Sequence, residues 1–312
     1  MTVNELIRYS LLSKNAKALI QSLPNRVKYL EFSIEVPKIY ISCNLDDMKT
    51  IEMHLPEVER DERVELPEKP EEVNDREQKL VKPEFSLRDW VIHISDVLRC
   101  KKIKLFFRRG SHYYYMQSIR QLFDGMDIIG VGVQQTEYIH GREVFNEFPN
   151  VRELTFGDPS LDRHDSSMMV ALVSRDLDFF RCERHLDIWW LLKMNCKIIE
   201  VFTAGFSLGD VNLFIRSWSS LSTNHNLEIF SVMFKEFNER HDLEIIFGGV
   251  QYTVVPKESY REFRAPYRSH LWEFVNAVLG QFEIQRNDGV KAWIQIDCYR
   301  HCEKLSQIGE MD

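Results

Sequence analysis

No stretch of the sequence approaches the roughly 18 consecutive apolar residues that a membrane-spanning helix needs, and the first residues are polar and amphipathic rather than a secretory leader. Neither a membrane anchor nor a signal peptide is expected, so the cytosol or nucleus is the default location. Basic clusters are also missing: the formal charge is −8, which argues against nucleic acid or an anionic membrane as partner. The six cysteines (Cys43, Cys100, Cys182, Cys196, Cys298 and Cys302) lack the density of a disulfide scaffold and fit free thiols in a reducing compartment. "GMDIIGVG" (125–132) has neither the GK[ST] ending of a phosphate loop nor the G-x-G-x-x-G order. "CYRHC" (298–302) has no second cysteine pair to close a zinc site. No cofactor is therefore expected.

Apolar material is plentiful, at 44% hydrophobic and 12% aromatic residues over 312 positions, enough to pack one large domain or two. The chain opens on a helical signal. Thr2 and Glu5 form an S/T-x-x-E capping box, and Leu6, Ile7, Leu11, Leu12, Ala16, Leu19, Ile20 and Leu23 recur at spacings of three to five through residue 23. One face is apolar and needs a partner. Then "VKYLEFSIE" (27–35), "KIYIS" (38–42) and "MKTIEMHL" (48–55) read as a short antiparallel meander broken at Pro37 and at 44–47. Residues 57–84 carry eleven Asp or Glu against six Lys or Arg, three prolines and no aromatic residue, the composition of an acidic, solvated linker.

Beyond that segment the pattern becomes α/β. Strands are expected at 103–107, 127–133, 151–156, 177–180, 197–204 and 227–234, with helical spacing in "LRDWVIHISDVLRC", "YMQSIRQLFDGM", "HDSSMMVALVSR" and "DVNLFIRSWSSL". Strand starts separated by 20 to 30 residues favour an irregular, leucine-rich-repeat-like stack, with a doubly wound α/β sheet as the competing arrangement. "FEIQRNDGVKAWIQID" (282–297) reads as a hairpin turning at Asn287-Asp288-Gly289.

Four stretches look chemical. "GFSLG" (205–209) matches the G-x-S-x-G of a nucleophile elbow, with Asp242 and His270 as conceivable triad partners; Ser207 or Asp210 capping the following helix explains it better. "GDPSLDRHDSS" (157–167) gathers Asp158, Asp162, His164 and Asp165, which turn and cap chemistry explains as well as a metal would. "RRGSHYYY" sets Arg108 and Arg109 beside Tyr113, Tyr114 and Tyr115, a combination suited to gripping a protein target. Trp189 and Trp190 in "HLDIWWLLK" read as core residues first and a binding surface second.

"NELIRYSLLSKNAKALIQSL" resembles the second half of an F-box as found in the nematode F-box proteins that carry a type 2 F-box-associated domain. "DVNLFIRSWSSLSTNHNLEIFSV" (210–232) and the R-x-D-G hairpin at 286–289 resemble parts of that associated domain. The resemblance implies a partial F-box at 1–23 that lacks its Leu-Pro opening and first helix, a meander at 24–56, the linker at 57–84, an associated α/β domain at 85–300 with its core near 185–250, and a tail at 301–312. It also implies a non-catalytic role: recognising targets for an SCF-type cullin-RING ubiquitin ligase, with Leu6, Leu11, Leu12 and Leu19 on the face for the Skp-type adaptor and an unknown protein as target. A binding module that holds the same targets without recruiting the ligase is the alternative.

Overall fold

A computed structural model describes residues 2–24, 27–43, 51–58, 62–75, 78–134, 138–157, 175–183, 186–202, 206–234, 237–256 and 278–298. The chain is α/β, as its alternation implied, and divides into two compact units, Met1–Val151 and Arg152–Asp312.

The first unit starts with helices α1 (Val3–Ser10) and α2 (Lys14–Ser22). The Thr2–Glu5 capping box is formed in both directions, and Ser13 caps α2, so the single apolar run at 2–23 folds as two short helices broken at a second cap. Strands β1 (Leu30–Glu35), β2 (Lys38–Cys43), β3 (Ile51–His54) and β4 (Glu72–Asn74) form an antiparallel meander whose β1–β2 turn contains the cis Val36-Pro37 bond. Helix α3 (Leu87–Val97), β5 (Lys102–Phe107), a 3-10 turn (Ser111–Tyr113), α4 (Met116–Leu122), β6 (Asp127–Val133) and α5 (Tyr138–Glu147) complete the unit. The sheet order is β6-β5-β1-β2-β3-β4, with β1 and β6 both parallel to β5. The meander is thus not a separate module: Leu30, Phe32 and Ile34 lie in register with Ile103, Leu105 and Phe107 and share one core.

The acidic segment also departs from the linker expected of it. Val73, Asp75 and Leu80 are buried. Leu66 N donates to Ser118 Oγ at 3.1 Å, Glu71 N to the His54 carbonyl at 2.9 Å and Leu87 N to the Glu68 carbonyl at 2.8 Å, while Arg63 pairs with Glu143 at 2.9 Å. The backbone supplies the ordering that composition could not, because its amides and carbonyls bond to elements on either side.

In the second unit the described elements are β7 (Glu153–Phe156), β8 (Asp176–Cys182), α6 (Ile188–Lys193), β9 (Asn195–Phe202), α7 (Leu208–Ser219), β10 (Ile229–Phe234), α8 (Glu239–Ile246), β11 (Tyr252–Val254), β12 (Val278–Gln285) and β13 (Lys291–Cys298). The sheet order is β11-β12-β13-β10-β9-β8-β7. β7 to β10 run parallel in chain order, without the reversal that a doubly wound sheet has at its switch point. The β12–β13 hairpin turns at 287–289, where Gly289 has φ +91° and Arg286 and Asp288 close an ion pair at 2.8 Å. Ring contacts such as Phe214–Phe230, at 4.4 Å between centroids, join helix and sheet in the core. Of the helix expected at 164–175, all but Arg175 lies outside the described residues.

Candidate functional site

The α1–α2 pair is anchored on its inner side by polar contacts. Arg8 forms a two-pronged bond to Asp75, Ser10 Oγ lies 2.8 Å from His93 Nε2 on α3, Lys17 meets Asp96 at 3.1 Å, and Arg99 donates to the Gln21 carbonyl at 3.1 Å. Burial pushes His93 down to about 4, with the Lys17 charge adding to the effect, so the ring is neutral at pH 7 and couples the two helices as a hydrogen-bonding wedge. Ile7 and Ile20 are buried. Of the four leucines expected on an adaptor face, Leu6 and Leu11 are half-buried, whereas Leu12 is 74% and Leu19 69% exposed. Tyr9 and Leu23 are exposed beside them in sequence, giving α1–α2 a run of uncovered large apolar side chains.

A second region lies at the carboxyl ends of β1 and β5, where ligand sites commonly form in parallel sheets. Arg108 N donates to the Ile34 carbonyl at 2.9 Å, and Val36 N to the Arg109 carbonyl at 3.2 Å. Gly110 turns the chain with φ +81°, and a Cβ there would sit 2.8 Å from Val36 Cβ, so only glycine fits. The turn is pinned from below by Ser111 Oγ, 3.1 Å from His140 Nε2 on α5. His140 is buried and pushed down to about 4 by desolvation, which outweighs the opposing charge of Glu143.

Two cavities open on this turn. One, of about 510 Å³, is lined in part by Glu35, Glu57, Arg109, His112 and Tyr113. The other, of about 520 Å³, is lined by the acidic segment and Tyr114. The five residues of "RRGSHYYY" are therefore not presented alike. Arg109 and Tyr113 line the first cavity and Tyr114 the second; Arg108 is half-buried at the strand end, and Tyr115 is exposed where α4 begins.

Among the described residues the other sequence candidates form no reaction centre. Ser207 Oγ accepts from Asp210 N at 3.1 Å and Ser207 N donates to Asp210 Oδ2 at 2.8 Å, the two halves of a capping box, and the hydroxyl also donates to Asp210 Oδ2 at 2.8 Å. Asp242 accepts from Asn238 N at 2.7 Å at another helix start; Gly205 and His270 lie outside the described residues. So do Asp158, Asp162, His164 and Asp165, as well as Cys302, and of Cys298 only the backbone is described. Among the described residues no group of three or more His, Cys, Asp or Glu could hold a metal ion, and no helix is long and apolar enough to cross a membrane. Trp189, read first as core, is exposed; Trp190 is half-buried under the Lys193 ammonium.

Sequence reasoning missed a polar row in the second unit. Thr155, Arg181, Glu200, Ser231, Gln295 and Gln281 occupy matching register positions on successive strands, so all lie on one face of the sheet. Arg181 and Glu200 pair at 2.7 Å with both side chains buried. The signal was present: "LDFFRC" and "CKIIEV" each carry charges at their second and fifth positions, with the fifth following two large apolar residues.

Residues 172–232 match the family model described as F-box associated (FBA_2). That span runs from just before β8 to within β10 and overlaps the 185–250 core expected from the resemblance, beginning earlier and ending earlier. No curated protein and no solved structure matches the chain.

Proposed function

We propose that the chain is a target-recognition subunit of an SCF-type cullin-RING ubiquitin ligase, related to the nematode F-box proteins with a type 2 associated domain and working in the cytosol or nucleus. In this reading α1–α2 contributes the second half of an F-box and docks on a Skp-type adaptor through Leu12 and Leu19, flanked by the half-buried Leu6 and Leu11. The α/β body holds a target protein, for which the turn carrying Arg109, Tyr113 and Tyr115 is the candidate surface. The chain itself makes and breaks no bond; it raises the concentration of target lysines near ubiquitin carried by another subunit.

The observation that carries the reading is the F-box-associated match at 172–232 in a chain whose α1–α2 pair leaves large leucines uncovered. Anchored inward through Arg8, Ser10 and Lys17, the pair turns Leu12 and Leu19 outward, as a docking helix pair must. Co-purification with a Skp-type adaptor, followed by its cullin and RING partners, tests the proposal. Stoichiometric recovery of the adaptor supports it. Recovery of a target protein with no adaptor would favour the alternative, a module that holds targets without recruiting the ligase.

A further inference from the structure

The sheet of the second unit ends at β11, whose residues pair with β12 on one side only. Val255 N donates to the Gln281 carbonyl at 2.9 Å. Bonded and non-bonded pairs alternate along an antiparallel ladder, so Thr253 also turns its amide and carbonyl towards β12. The amides and carbonyls of Tyr252 and Val254 therefore point away from the sheet, where they find no hydrogen-bond partner among the described residues. Their side chains are uncovered too, Tyr252 at 42% and Val254 at 60% exposure. Soluble proteins commonly guard such an edge with charge, an interrupting proline or a covering segment. The first unit does so at β4, where the chain folds back and Leu80 N donates to the Val73 carbonyl at 2.7 Å. From Val250 to Val255 the second unit carries neither a charge nor a proline.

The strand is also complementary to itself. In an antiparallel register centred on Thr253, Tyr252 of one copy lies opposite Val254 of the other, and these are the residues whose amides and carbonyls face outward. Each such pair exchanges two bonds, so a two-fold arrangement makes four backbone hydrogen bonds without disturbing the ladder to β12. The side chains agree with the backbone. An aromatic ring meets a β-branched residue on one face and threonine meets threonine on the other, both favourable cross-strand pairs. A two-fold axis sets a central residue against its own copy, so a charge there would repel itself; Thr253 carries none.

We propose that β11 is a dimerisation edge, at which two copies of this chain join their sheets across a two-fold axis through Thr253. The proposal does not depend on the ligase reading. So short a pairing covers far less than the about 800 Å² per partner of a stable interface, so the dimer is weak and forms as concentration rises. Sedimentation velocity of the full chain over a wide concentration range should show monomer passing into dimer. Val254→Pro removes one outward amide and leaves the Thr253 bonds to β12 in place. It should weaken dimerisation at least tenfold, with the melting temperature within about 2 °C. Cross-linking then fixes the register. Thr253→Cys sets two thiols across the axis with Cα atoms about 4.5 Å apart, within disulfide reach, and oxidised glutathione should join the copies while leaving as two reduced molecules. Gln251→Cys places the two thiols four residues out of register, about 13 Å apart, and should cross-link no more than the unsubstituted chain with its own six cysteines. If Val254→Pro lowers the melting temperature, the contrast between positions 253 and 251 decides alone. A chain that stays monomeric, a dimer untouched by Val254→Pro, or equal cross-linking at 251 and 253 overturns the proposal. So does protection of the Tyr252 and Val254 amides from exchange by a target peptide in a monomeric chain, which would give the edge to a target strand.

Discussion

The two units begin a helix with nearly the same five residues: "FSLRD" at Phe85–Asp89 and "FSLGD" at Phe206–Asp210. Both make the same capping box, with Ser N to the Asp carboxylate at 2.9 and 2.8 Å and Asp N to Ser Oγ at 3.1 Å in each. The hydrolase-like reading of "GFSLG" dissolves in that comparison, because the first unit uses the same signal with Glu84 and Arg88 in place of the two glycines. Away from these caps the units diverge. The first places its polar groups at joints and turns: His93 between α1 and α3, His140 under the Gly110 turn, Tyr114 against an open cavity. The second pairs buried charges across its strands, as Arg181–Glu200. Local sequence sets where helices start; the placement of polar groups decides which unit can be adjusted from outside.

The largest effect that could break this contrast is in the second unit. Arg181→Ala strands Glu200 in a buried site and should cost on the order of 3–5 kcal/mol in urea unfolding. Replacing both partners by apolar residues of similar volume should cost far less, and equal losses would mean that the pair is not closed.

Acid should separate the units next. His93 and His140 are each held near 4 against an ordinary value of 6.5, so they are neutral when folded while the unfolded chain takes up protons below 6.5. Stability of the first unit is therefore intact above about pH 6.5 and is lost as pH falls towards 4. The two described histidines of the second unit, His225 and His241, are exposed rather than set between packed elements. Amide hydrogen exchange at pH 7 and 5 should show protection falling in α1, α3 and α5 before β8 to β10; a simultaneous fall would remove the distinction.

Smaller still, Ser86→Ala and Ser207→Ala should each cost about 0.5–2 kcal/mol, and by similar amounts. Neither serine should react with a fluorophosphonate probe. The mildest test is limited proteolysis of the acidic segment: bonds at 64–75 should be protected, because their backbone is tied to α4, β3 and α3. Early cleavage there would restore the linker that composition alone suggested.

Much of the architecture was legible because it rests on local signals. Thr2-x-x-Glu5, the strands at 103–107 and 127–133, and the Asn287-Asp288-Gly289 turn announce themselves through capping, period and turn chemistry. The acidic segment was misread because its order comes from long-range backbone bonds that its side chains do not encode. The polar row from Thr155 to Gln281 escaped because its members are distant in sequence and meet only through strand register. Within "RRGSHYYY" the residue types alone did not separate the three tyrosines. Which tyrosine would be buried followed from a 3-10 turn that helical spacing could not foretell.

The central claim, that the outward face of α1–α2 is a docking surface for an adaptor, is tested most directly by Leu12→Asp in the full chain. Leu12 is 74% exposed, so the substitution should leave the melting temperature within about 1–2 °C, the shift of a surface change of a few tenths of a kcal/mol. It should also weaken binding to a Skp-type adaptor tenfold or more, by burying a carboxylate in an apolar interface. Unchanged adaptor affinity, or no measurable adaptor binding by the unsubstituted chain, would contradict the account.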